Sequence, residues 1–156
     1  MKILCMWLLF ICSFTKLGSA EELPATNIQG KYVVEKTYFG VLRPNDPMFL
    51  STRNVPYVIG QTYGWIVLLR TNERKIRWVE QFSLPDSPRT WGKPDPVENR
   101  SCTDDEKTCY SEREVEVEDG IISNFWSIAP GDPKGRHTIR VYVEGSIATE
   151  IDFYIE

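Results

Sequence analysis

From residue 31 onward the chain alternates apolar and polar residues with a period of two, and that alternation restricts what it can fold into. The clearest stretch is the last. His137, Ile139, Val141 and Val143 fall on one side, with Thr138, Arg140, Tyr142 and Glu144 on the other. Successive side chains of a strand point to opposite faces, so this is the pattern of a half-buried strand. Glu144-Gly145 supplies a turn. Ile147, Ile151, Phe153 and Ile155 then continue the apolar face on the return, with Glu150, Asp152 and Glu156 outward. The pattern predicts a hairpin.

The same reading extends upstream. Residues 31–39, 62–70 and 75–83 are rich in Val, Ile, Tyr and Trp, the residues that suit a pleated, half-buried surface. Glu112, Glu114, Glu116 and Glu118 alternate with Arg113, Val115 and Val117, which predicts a strand with one solvated acidic face. Asp119-Gly120 tolerates the positive φ angles of a tight turn and leads into a strand over Ile121 to Ile128. No helical period competes. The expected architecture is all-β: an immunoglobulin-like antiparallel β-sandwich of about seven strands over residues 31–156. Two segments depart from the pattern. Residues 43–56 are rich in Pro and Asn and read as a long connection. Residues 84–109 hold Pro85, Pro88, Pro94 and Pro96 with six acids, and should run over one end of the sandwich. A loop of that length in a compact domain calls for a function or a staple.

The first residues speak to compartment. Lys2, an apolar run of about 12 residues from Ile3 to Phe14, and Gly18-Ser19-Ala20 make the charged, apolar and small-residue parts of a secretory signal peptide over residues 1–20. The run is too short for the ~20 residues of a membrane span, and the bulky Leu9-Phe10-Ile11 before Cys12 does not suit a lipoprotein cleavage site. The expected product is secreted or periplasmic, without stable membrane insertion, and begins at Glu21 with an N-terminal extension over residues 21–30. Losing Lys2 and Lys16 takes the formal net charge from −4 to about −6, which argues against nucleic acid as a partner. Cys5 and Cys12 leave with the leader. Cys102 and Cys109 remain as an even, closely spaced pair, expected to form a disulfide in an oxidising compartment. Six intervening residues are unlike the spacing of a zinc site, and no metal or other cofactor is expected.

Residues able to do chemistry are few. His137 is the sole histidine and sits on an apolar strand face, where a packed structural ring is the expectation. Ser123 and Ser127 lack a nucleophile-elbow motif. Asp104-Asp105-Glu106 lies in a polar loop without calcium-loop spacing. Trp65, Trp78 and Trp126 fall in strands and read as core. Trp91 differs: it stands in the Pro-rich segment as Arg89-Thr90-Trp91-Gly92-Lys93, where it serves either as a recognition anchor or as a lid over the core. Arg89, Trp91 and Lys93 are therefore the candidate binding residues. The expected function is a non-catalytic module that recognises a protein or glycan partner through its end loops. The alternative is an exported hydrolase that uses paired carboxylates, one with a raised pKa.

Tyr38-Phe39-Gly40, Gly60-Gln61-Thr62-Tyr63-Gly64-Trp65, the break at Pro85 and the run from Gly135 to Tyr142 resemble an uncharacterised bacterial family, a domain of unknown function found in exported or envelope proteins. The resemblance covers residues 31–156. It implies an immunoglobulin-like fold and no assigned activity. The chain departs from that family by placing His137 where an aromatic is common and by adding the Cys102 and Cys109 pair.

Overall fold

The computed structural model describes residues 27–28, 31–43, 48–93 and 96–156. Residues 1–20, read as a signal peptide, and most of residues 21–30, read as an extension, lie outside the described residues. Eleven strands run through these residues: β1 (Asn27–Ile28), β2 (Tyr32–Leu42), β3 (Phe49–Ser51), β4 (Asn54–Val55), β5 (Thr62–Thr71), β6 (Lys75–Ser83), β7 (Asn99–Cys102), β8 (Thr108–Glu116), β9 (Ile121–Ser127), β10 (Gly135–Val143) and β11 (Ser146–Ile155). The seven long ones are those the alternation predicts. The other four are two to four residues long and fall in the segments read as extension or connection. Runs that short carry no readable period.

Two sheets face each other. The first has the order β1-β2-β5-β9, with β3 also on β2; the second runs β4-β11-β10-β6-β8-β7. All pairs are antiparallel but one: β4 joins β11 in parallel, through Tyr154–Asn54 and Ile155–Val55, so the second sheet is mixed rather than purely antiparallel. Phe39, Tyr63, Trp65 and Val67 of the first sheet meet Trp78, Phe82, Ile139, Val141 and Phe153 of the second, all buried. Trp65 and Trp78 pack edge to face at 5.3 Å, a geometry that suits the aromatic quadrupole. Tyr32 spans the sheets, its hydroxyl donating to the Val143 carbonyl at 2.7 Å.

The turns follow their chemistry. Asp119 and Gly120 have φ of 53° and 73°, and Glu144 and Gly145 have 47° and 81°, as tight hairpins require. One expectation fails within the last hairpin. The register shifts between Val141 and Tyr142, so Val141 faces Thr149 while Tyr142 faces Ile147. An extra residue in one strand flips everything beyond it. Ile147 is therefore 51 % exposed and Thr149 is buried in its place. The outer face of the second sheet is a ladder of ion pairs, with Arg77 on Glu112 at 2.6 Å and Lys75 on Glu114 at 3.5 Å. The acidic row is thus a solvated face, and β8 ends at Glu116, short of Glu118.

Cys102 and Cys109 lie directly opposite one another on β7 and β8 and are joined by a disulfide. It closes a hairpin rather than an open loop, and so converts the end of the 84–109 segment into part of the sheet. Intact protein should weigh two mass units less than its reduced form. Replacing both cysteines with serine should cost about 2–3 kcal/mol in chemical denaturation, the loop entropy of so short a closure; two titratable thiols in protein from its native compartment would contradict the pairing.

A candidate recognition cleft at the sandwich edge

The inward row of β6 reads Ile76, Trp78, Glu80, Phe82, and all four are buried. Glu80 is an acid in an apolar row, with no exposed surface. Its Oε2 accepts the indole N–H of Trp65. Its Oε1 accepts the indole N–H of Trp126 at 2.9 Å and the side-chain amide of Asn124 at 3.2 Å. Burial pushes the carboxyl above its ordinary pKa, and the three N–H donors pull back against that rise. Trp65 belongs to β5, and Asn124 and Trp126 to β9. One carboxylate on the second sheet therefore anchors two strands of the first.

Along the same inner face, Glu80 pairs with Ser111 on β8, and Ser111 with Arg100 on β7. The row ends at Glu98, just ahead of β7. Glu98 accepts Ser111 Oγ at 2.6 Å, Arg100 Nε at 2.7 Å and Arg113 Nη2 at 3.1 Å, with its side chain only 4 % exposed. Burial alone would raise its pKa, but these bonds and the Arg100 charge outweigh that and hold it at about 2. The Arg100 guanidinium lies over the Trp126 ring at 5.1 Å and donates to the Trp91 carbonyl at 2.8 Å.

Trp91 completes the arrangement. Its ring meets Phe82 edge-on at 5.6 Å and Trp126 at 6.0 Å. Its Nε1 donates to the Glu106 carbonyl, 2.7 Å away, at the tip of the disulfide hairpin. The loop ahead of it is tied to the same tip by Ser87 Oγ on the Asp105 carbonyl, the Leu84 amide on the Lys107 carbonyl, and an ion pair between Lys107 and Asp86. Two cavities open beside Trp91 and Trp126. One, of roughly 180 Å³, is apolar and lined by Tyr63, Phe82, Leu84 and His137. The other, of roughly 280 Å³, is polar and lined by Lys93, Glu98, Arg100, Arg113 and Asn124.

Of the residues singled out in the sequence, Trp91 and Lys93 line the polar cleft. Arg89 turns away: its amide reaches the Gly131 carbonyl, and its side-chain carbons fill the space where Gly131 lacks a Cβ. His137 is 1 % exposed, stacks on Phe153 at 5.2 Å and commits Nδ1 to the Gly135 carbonyl. Burial pushes its pKa down, so it is a packed neutral ring. Ser127 shares its hydroxyl with Thr62, and Asp105 closes its own turn on Thr103 and Lys107. Glu80 and Glu98 are the nearest thing to a pair of catalytic carboxylates, one raised and one lowered, yet both oxygens of each already accept hydrogen bonds. Glu80, Glu98, His137, Ser127 and Asp105 are each engaged in hydrogen bonds within the fold. Among the described residues no group of three His, Cys, Asp or Glu is placed to hold a metal ion, and no helix is long and apolar enough to cross a membrane.

The sequence reading missed Glu80, Glu98, Arg100, Arg113 and Asn124. A signal was present for two of them. Glu80 interrupts an apolar row, and Arg113 shares the inward side of its strand with Val115 and Val117; a buried charge in such a row needs a partner.

A family model described as "PM0630 beta sandwich domain" matches residues 37–156. Among solved structures, the chain is similar to an immunoglobulin-like protein (PA1606) from Pseudomonas aeruginosa. The identity is 15 % and the TM-score 0.58, over 83 % of this chain and 100 % of that one. That likeness carries the fold. A search of curated proteins finds no match.

The two carboxylates act oppositely on stability. Glu80, raised by burial, contributes stability below the unfolded pKa and loses it as pH rises. Glu98, lowered from 4.5 to about 2, contributes above 4.5 and loses it as pH falls. Wild type should exceed Glu98→Gln by roughly 3 kcal/mol at neutral pH, and the gap should close between pH 4.5 and about 2. A gap that is constant with pH would show that Glu98 is not held ionised by its partners.

Proposed function

We propose that this chain, which belongs to the PM0630 β-sandwich domain family, is an exported, secreted or periplasmic module that recognises a protein or glycan partner through the loop end around Trp91. The observation that carries this reading is the fixed pose of Trp91. Its ring is only partly buried, yet it is held by Phe82, by Trp126 and by the Glu106 carbonyl. A group already fixed loses little entropy on binding, and a rigid indole is a strong contact surface. Lys93 adds an exposed cation beside it. Export is supported by the leader-like first twenty residues and by a disulfide, which persists in oxidising compartments.

The Trp91 side chain packs against the core and also lines the cleft, which supports a lid and an anchor in one residue. Trp91→Ala should therefore cost about 2 kcal/mol, about half the loss for a fully buried aromatic, and should abolish capture of envelope glycan or protein by the immobilised mature chain. Trp91→Phe keeps the edge contacts and should retain most of the stability. A Trp91→Ala protein that stays folded and captures as wild type does would overturn the proposal.

A further inference from the structure

We propose that the apolar cavity beside Trp91 takes a neutral phenolic ring, whose hydroxyl pairs with Tyr63 and His137. The assignment goes beyond the capture of a partner at the loop end and does not depend on it. Two residues set it. Tyr63 comes from the first sheet and His137 from the second. Both rings lie against Phe153, at 5.6 Å and 5.2 Å, and both line the cavity. They are 3 % and 1 % exposed, yet among the described residues neither the Tyr63 hydroxyl nor His137 Nε2 has a hydrogen-bond partner. Neither atom is sealed into the packing, so each meets the space that its residue lines. A polar atom so placed needs a partner from within that space.

The two atoms specify what that partner carries. A carbonyl oxygen only accepts, so His137 Nδ1 bears the proton that it shares with Gly135. Nε2 of the neutral ring is left as a bare acceptor. Burial, with the charges of Asp132 and Glu80, keeps Tyr63 protonated, so its hydroxyl can donate. A single hydroxyl group answers both, donating to Nε2 and accepting from Tyr63. Among the described lining residues Asp132 alone is charged, which disfavours a carboxylate. The walls choose the rest. Phe82, Trp91 and Trp126 stand edge-on or tilted to one another, 5.4 to 6.0 Å apart, and a further aromatic ring extends that arrangement. The cavity holds roughly 180 Å³, close to the roughly 150 Å³ of an apolar cavity that takes up benzene. It suits one substituted ring.

The test titrates the full mature chain with p-cresol, toluene, cyclohexanol and benzoate. It follows the Nε2 resonance of His137 and the indole N–H resonances of Trp91 and Trp126. Toluene keeps the ring without the hydroxyl, cyclohexanol keeps the hydroxyl without the aromatic ring, and benzoate carries a charge. p-Cresol should displace all three resonances and bind at least about tenfold more tightly than toluene, the contrast of two hydrogen bonds lost. Tyr63→Phe should reduce that preference to a few-fold and leave toluene binding as it was. Should that variant not fold, the ligand contrast on wild-type protein decides alone. Equal binding of p-cresol and toluene would overturn the hydrogen-bond assignment. Tighter binding of cyclohexanol would overturn the aromatic ring, tighter binding of benzoate the neutrality, and no response to any of them the site itself. N-acetyltyrosinamide distinguishes two sources of the phenol. Binding as tight as that of p-cresol assigns the cavity to a tyrosine side chain of a partner, and weaker binding to a free small phenol.

Discussion

The Glu80 carboxylate is the interaction on which the edge of this sandwich depends. It sits without solvent exposure between the sheets and gathers the N–H groups of Trp65, Trp126 and Asn124. Taking a carboxylate out of water is expensive unless its lone pairs are met by donors. Here they are met from the opposite sheet, so the cost of burial is recovered only when β5 and β9 dock in one register. The apolar core contributes most of the stabilisation, but apolar contact alone tolerates slippage. Glu80 does not.

The cleft is a consequence of that docking. Because Trp126 is drawn inward to Glu80, its ring becomes available to Arg100 from β7 and to Trp91 from the loop. Glu98 then fixes Arg100 and Arg113 and closes the row that began at Glu80. The disulfide hairpin holds the Glu106 carbonyl that receives Trp91. Two unrelated devices, a buried acid and a cross-strand disulfide, thus converge on the same pair of tryptophans. That convergence ties the described part of the loop end to the core, while the outer face of the second sheet is an ordinary ladder of ion pairs.

Long strands were legible because each spans enough residues to show its period: β6 runs over residues 75–83 and β10 ends at Val143, both as the alternation predicts. The bulge opposite Val141 was not legible, since Ile147 is as apolar as the residues it was grouped with and only the register shift turns it outward. The short strand β7 was hidden by its polarity, and with it the hairpin that makes the disulfide a sheet element. For the site, Trp91 and Lys93 stood out as residues without a strand to belong to. Arg100 and Glu98 did not: they pair with each other two residues apart, but what buries them is remote in sequence, Glu98 meeting Arg113 fifteen residues on. Trp126 looked like core but is only partly buried, packed against the edge of the core, and its second role depends on the neighbours that fold around it.

The central claim, that one buried carboxylate fixes β9 and the cleft wall, is tested most directly by amide hydrogen exchange on Glu80→Gln. An amide side chain offers one acceptor oxygen where the carboxylate offers two, so at least one buried N–H loses its partner, at about 1–3 kcal/mol. The account predicts that protection of β9 amides falls well before that of the β10–β11 hairpin, with the Trp126 indole resonance displaced. Unchanged protection across β9, or a loss spread evenly over both sheets, would contradict it.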